Sequence, residues 1–346
     1  MSRKSLFIAG LLLAWLAGQA TQAHQSGCWI QQDRNIRVRN LGGSQASAAI
    51  NDWNSMTILN FSNVTSGEEI FVSATNSGAT GWGQLVSITN YSGCTILRCT
   101  AQINTYYASS TSTTARGMFC QGIGRCLGLD HSNDGGCMGG GYWYSFTNAY
   151  RPVTHNVNDI AAMYANRLPT NPNPPTAGPE VDAPRFQASW VYNPRNLGET
   201  SRIATDIVTA TVTGVADGDP IEIRQKDGSV SRIPTQRVTF DVRRSRKGSL
   251  GENETFVLFQ NGNDHNRFEG DPSYEMGHTY LLFLTPREDG TYLVVSPQGR
   301  YEVTRNGLVP AAKDGFSAEL AGASLQDVDA DLTRSLTDDQ QPAGQQ

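Results

Sequence analysis

The stretch that decides the reading of this chain is MFCQGIGRCLGLDHSNDGGCM, residues 118–138. Its first half predicts a helix that begins near Thr113 and stops at Gly128, where glycine accepts the left-handed conformation that ends helices. Gln121 and Arg125 are four residues apart, so they share one face of that helix. Beyond the turn at Gly128 come His131 and Met138, in a segment dense in Gly, Asn and Asp. Cys120 and Cys137 bracket the turn.

Upstream, Ser44 is placed to cap a helix carrying Ala46, Ala49, Ile50, Trp53 and Met56 at helical spacing. Residues 69–73, 83–88 and 100–106 read as strands. Downstream, a third helix is expected from Asn156 or Asn158, with Ile160, Met163, Tyr164 and Leu168 on one side. A proline-rich segment, residues 169–185, can continue neither a helix nor a central strand and reads as a linker. After it the pattern changes to short alternating strands, such as Val208-Ala210-Val212 and Val238-Phe240-Val242, separated by Gly, Asp and Pro turns. That pattern suggests a small all-β barrel or sandwich over 186–310. Residues 311–346 read as a tail, partly helical and then disordered.

Residues 1–23 have the form of a secretory signal: Arg3 and Lys4, an apolar run from Leu6 to Trp15, then small residues ending at Ala20 or Ala23. The run is too short to span a bilayer, which takes ~20 residues. The expected location is secreted, periplasmic or extracellular, with no transmembrane anchor in the mature chain. The six cysteines, Cys28, Cys94, Cys99, Cys120, Cys126 and Cys137, all precede the linker and suggest three structural disulfides. Six cysteines allow fifteen connectivities. Cys94 with Cys99 closes one short loop, Cys120 with Cys137 spans the motif, and Cys28 with Cys126 is the remaining pair. A net charge of −5, without a basic patch, excludes nucleic acid as the expected partner. If the leader is cut after Ala23, His24 becomes the first residue, as in copper sites built on an amino-terminal histidine, but no further ligand accompanies it in the sequence.

The 118–138 stretch resembles the metzincin zinc-peptidase motif, H-E-x-x-H-x-x-G-x-x-H followed by a Met-turn. In that motif two histidines on one helix face and a third beyond the glycine hold zinc, and the glutamate activates a zinc-bound water. Aligned on Gly128, His131 falls on the third ligand and Met138 on the Met-turn. Gln121 and Arg125 stand at the other two ligand positions, and Gly122 at the general base. The chain also resembles bacterial matrixin-like domains, and the resemblance extends over residues 28–168. It includes the helix with Trp53, the Gly81-Trp82-Gly83 step and the closing segment Asp159-Ile-Ala-Ala-Met-Tyr164. It implies an α+β domain over 24–168, a twisted mixed sheet with three helices, followed by the small β-barrel. The second part weakly resembles the netrin-like barrels of tissue inhibitors of metalloproteinases, without their cysteines.

The substitutions argue against catalysis. Loss of a positioned base alone costs ~10²–10⁴ in rate. A guanidinium ~4 Å from a divalent ion is repelled by roughly 8 kcal/mol at an effective dielectric of 20. No cofactor is therefore expected, zinc being the ion if the site works after all. The expectation is an inactive homologue that binds a peptide or protein, with Ile103, Asn104 and Tyr106 offered as a peptide-binding sheet edge, the way metzincins align substrates. The alternatives are a weakly active zinc endopeptidase and a structural cell-envelope protein.

Overall fold

The computed structural model of the protein describes residues 24–132, 134–139, 149–170, 184–312 and 315–338. The expected signal (1–23), most of the proline-rich linker and the last residues of the tail lie outside the described residues.

The chain builds two seven-stranded sheets. The first contains β1 (Ile30–Gln31), β2 (Asn35–Asn40), β3 (Asn60–Asn63), β4 (Ile70–Thr75), β5 (Trp82–Ser92), β6 (Thr95–Asn104) and β7 (Arg185–Trp190). The order is β3-β2-β4-β6-β5-β7, with β1 beside β6. Pairing is parallel except where β5 runs antiparallel to both β6 and β7. Helices α1 (Ser44–Met56) and α2 (Thr113–Cys126) fall where their periodicity places them, whereas α3 (Thr154–Tyr164) starts before Asn156 and ends at Tyr164, leaving Leu168 outside it and exposed. Ala46, Ala49 and Trp53 of α1 meet Phe119 and Ile123 of α2 over Ile36, Val38, Ile70 and Val72 of the sheet. Trp53 is fully buried, and its Nε1 donates to the carbonyl of Cys120 at 3.0 Å. Gly128 has φ +96°, and a Cβ there would lie 2.0 Å from the Trp29 carbonyl oxygen, so only glycine can make this turn.

The second sheet holds β8 (Asp206–Arg224), β9 (Val230–Lys247), β10 (Thr255–Asn261), β11 (Thr279–Pro286), β12 (Tyr292–Val294), β13 (Arg300–Thr304) and β14 (Gly307–Pro310). Its order is β12-β10-β9-β8-β11-β13-β14, and β12 also pairs with β11. Strand alternation divides its side chains between two cores. Tyr280, Leu282 and Leu284 of β11 join Val208, Ala210, Val212 and Phe240. Leu281 and Phe283, on the other face, pack against Val328 and Leu332 of α5 (Leu325–Asp338) and the short α4 (Leu197–Ile203).

This architecture corrects the expected α+β domain with a separate small barrel. Two large mixed sheets dominate, and the strands of the second are far longer than the alternation suggested. β8 runs for 19 residues and β9 for 18. The segment Asp217-Gly-Asp-Pro220 is rich in turn-forming residues, but register shifts between Gly218 and Ile221 absorb it into the ladder. The far end of this hairpin reaches the first sheet. Ile223 and Ile233 pack with Trp82, Leu85, Phe186 and Phe268, and Asp227 pairs with Arg39 of β2. β7, which follows the linker, is a member of the first sheet.

Three disulfides form: Cys28–Cys94, Cys99–Cys126 and Cys120–Cys137. The third is the expected pair, and the other two replace Cys94–Cys99 and Cys28–Cys126. Cys94 and Cys99 lie along one extended segment, where five residues span roughly 16 Å, whereas bridged Cα atoms lie within about 7 Å. The parallel pairing of β1 with β6 instead brings Cys28 to 5.4 Å from Cys94, Cα to Cα. Among the described residues no helix is long and apolar enough to cross a membrane.

Candidate functional site

The face of α2 that carries Gln121 and Arg125 looks onto a cleft of about 680 Å³. Both side chains are buried. The opposite wall comes from beyond the linker, through β7, Tyr192 to Arg195, and the Glu269–Gly270 and Pro297–Gln298 loops. His131 and Asp130 also line it.

The turn at Gly128 brings His131 back over α2. Nη2 of Arg125 lies 2.7 Å from its Nε2 and 3.0 Å from its Nδ1. A neutral imidazole has one acceptor nitrogen, so the guanidinium donates to that one. Burial first, and the Arg125 charge second, push the imidazole well below its ordinary value of 6.5. The segment after His131 folds under the helix, with the Ser132 N–H donating to the Met138 carbonyl at 2.8 Å. Met138 is fully buried; a Cβ on Gly124 would sit 2.4 Å from its sulfur and 2.9 Å from the Trp53 ring. That contact accounts for glycine at 124.

Gln121 faces β7. Its Oε1 lies 2.5 Å from Ser189 Oγ, which also lies 2.8 Å from Gln84 Oε1. One hydroxyl proton serves one of these oxygens, so the other amide turns its NH₂ toward Ser189. Gln187, two residues earlier on the same strand face, donates to Ser26 Oγ at 3.1 Å and Glu269 Oε2 at 2.7 Å. Gly122 faces the sheet, where a Cβ would lie 2.9 Å from Gln84 Nε2 and 3.0 Å from the Ala101 Cβ.

The donors at these positions do not fit a zinc ion. The Arg125 guanidinium has no lone pair to offer and spends its proton on the one histidine at the site. The Gln121 amide is engaged by Ser189, and residue 122 has no side chain. No chemical step through zinc follows from this arrangement.

The expected peptide-binding edge is corrected. Ile103 and Asn104 sit in the interior of the sheet, paired to Ala74 and Thr75 of β4, and Ile103 also to Gln84 of β5. Tyr106 lies beyond the strand end and is exposed. The outer edge of β5 is taken by β7. Sequence reasoning missed β7 as a wall of the site. Its alternation, Phe186-Ala188-Trp190 against Gln187-Ser189, marks a strand but not the sheet it joins. No protein-family model matches the chain, and no curated protein matches it either.

The depressed His131 value carries a sign. The unfolded imidazole titrates near 6.5 and the folded one lower, so between those values the unfolded chain binds more protons. The stabilisation is complete above about pH 6.5 and declines as pH falls toward the folded value, by at most ~1.4 kcal/mol per unit. Urea midpoints measured from about pH 7.5 down to about pH 5 should fall less for His131→Gln than for the parent. Equal slopes would mean that His131 is as easily protonated folded as unfolded.

Proposed function

We propose that the chain is an exported binding protein without peptidase activity, and that the cleft between α2 and β7 receives a peptide. The observation that carries this reading is the cleft itself, with Arg125 set against His131 in its lining. Three disulfides support an oxidising compartment. The volume lies in the range of preformed ligand sites, roughly 300–1,000 Å³. Asn193 and Gln298, whose amides bond each other at 2.6 Å, line the cleft with Gln187 as groups that can exchange onto peptide N–H and C=O groups, and Trp190 and Tyr192 offer apolar faces with polar tips. On this reading Gly128, His131 and Met138 keep the outline of a zinc-peptidase motif, while the replacements at 121, 122 and 125 have removed its chemistry.

The test is retention of random hexapeptides by the purified protein, read by mass spectrometry, alongside a casein-cleavage assay. Peptides should be retained and casein left intact. Trp190→Ala should weaken retention about tenfold or more, as expected for an aromatic anchor. Chelator-sensitive cleavage of casein would restore the peptidase reading. Failure to retain any peptide would leave the structural cell-envelope reading in its place.

A further inference from the structure

A second cluster lies outside the cleft. His24 is held beside the segment that leaves α2: its carbonyl accepts from the Asp130 N–H at 2.6 Å, and Gln25 bridges Leu129. His155 and Asp159 are four residues apart on α3 and share one face. His24 Nδ1 lies 2.6 Å from His155 Nε2 and 3.7 Å from Asp159 Oδ2, and His155 Nε2 lies 3.1 Å from that same oxygen. Asp134 Oδ2 stands 3.3 Å from His155 Nε2.

We propose that His24, His155 and Asp159, with Asp134 at the rim, bind one divalent first-row transition ion, of the zinc or copper type. Three observations carry it. One ligand atom from each of the three residues lies within 4.8 Å of the others. Metal–nitrogen bonds of 2.0–2.1 Å place tetrahedral donors roughly 3.3 Å apart, and the spacings here fall on both sides of that value. Asp159 is 3% exposed, and among the described residues its ion pairs are with these two histidines. A buried carboxylate here faces two imidazoles whose nitrogens converge on one another, an arrangement that a cation placed between them would satisfy.

The donor set selects the ion. Two imidazoles with one or two carboxylates suit zinc, copper and nickel. Calcium takes six to eight oxygens, which the cluster does not supply. The backbone nitrogen of His24 lies 3.3 Å from Asp159 Oδ2. Removal of a leader after Ala23 would turn that nitrogen into an amine donor beside Nδ1, which favours copper(II). The site shares no residue with the cleft and does not depend on its function.

The test titrates the purified protein, its N-terminus defined by intact mass, separately with Zn²⁺, Cu²⁺ and Ca²⁺ against a competing chelator. One Zn²⁺ or Cu²⁺ should bind per chain with micromolar or better affinity, and Ca²⁺ should not bind. His155→Ala should weaken binding by roughly 100-fold or more, since even loss of an outer partner costs 10–100-fold. His24→Ala should act similarly; its ring is 42% exposed, so this variant leaves the core intact should His155→Ala fail to fold. His131→Ala and His278→Ala should bind as the parent does. The copper-loaded form should show coupling to at least two nitrogens by electron paramagnetic resonance. Absence of Zn²⁺ and Cu²⁺ binding, or binding indifferent to both His24→Ala and His155→Ala, overturns the site.

Discussion

Reduction should take this protein apart in two stages. Cys28 and Cys94 are exposed, whereas Cys99, Cys126, Cys120 and Cys137 are fully buried. A mild thiol in native buffer should therefore open Cys28–Cys94 alone. That bridge closes the longest loop, with a sequence separation of 66 against 27 and 17 for the others. On the chain-entropy account these separations correspond to roughly 4.4, 3.6 and 3.1 kcal/mol. Together they rival the whole stability of an ordinary domain, about 5–15 kcal/mol. Cys28→Ala/Cys94→Ala should stay folded and lose about 4 kcal/mol in urea. Full reduction in denaturant, followed by its removal, should leave the first sheet unfolded. Alkylation with mass detection reads the order. Simultaneous loss of all three bridges in native buffer, or a first sheet that refolds with six free thiols, would show that packing and not cross-links holds it.

The local elements were legible because each has a local cause. Trp53 and the alanines of α1 repeat at helical spacing, and Gly128 stops the turn after α2 because no other residue fits against the Trp29 carbonyl. What was illegible depends on which strands become neighbours. The Cys28–Cys94 pair follows from the parallel register of β1 with β6, a contact between segments more than sixty residues apart. The destination of β7 was hidden in the same way: its sequence marks a strand, but only the finished sheet shows that it lies along β5 and puts Ser189 against Gln121. The length of β8 was hidden because turn-forming residues such as Asp217-Gly-Asp-Pro220 also occur in bulged ladders. The cluster of His24 with His155 bridges 131 positions and has no signature in either neighbourhood. At the cleft, the residue identities at 121, 122 and 125 already argued against zinc. The structure adds that Gln121 and Arg125 are engaged by Ser189 and His131, and that Gly122 faces the sheet.

Gln121→His/Arg125→His should create a zinc site at positions whose natural side chains are poor ligands. The two new imidazoles would stand four apart on a helix face that already looks onto His131, as the Arg125–His131 contact requires. Removing Arg125 eliminates a repulsion of roughly 8 kcal/mol toward a divalent ion, about the free energy that separates no binding from micromolar binding. It also removes the second cause of the low His131 value, so the ring becomes a better donor. Adding Gly122→Glu should not help. Its Cβ would press on Ala101, whose position is fixed by the β6 ladder, and on Gln84. Overpacking of this kind costs about 1–3 kcal/mol, so the triple variant should be less stable than the double. The measurement is zinc titration in a His155→Ala background, which silences the proposed second site. The double variant should bind one zinc at micromolar affinity or better, and adding His131→Ala should abolish it. A folded double variant whose zinc binding ignores His131 would mean that the three positions do not converge, and the alignment of this segment on a zinc motif would fall with it.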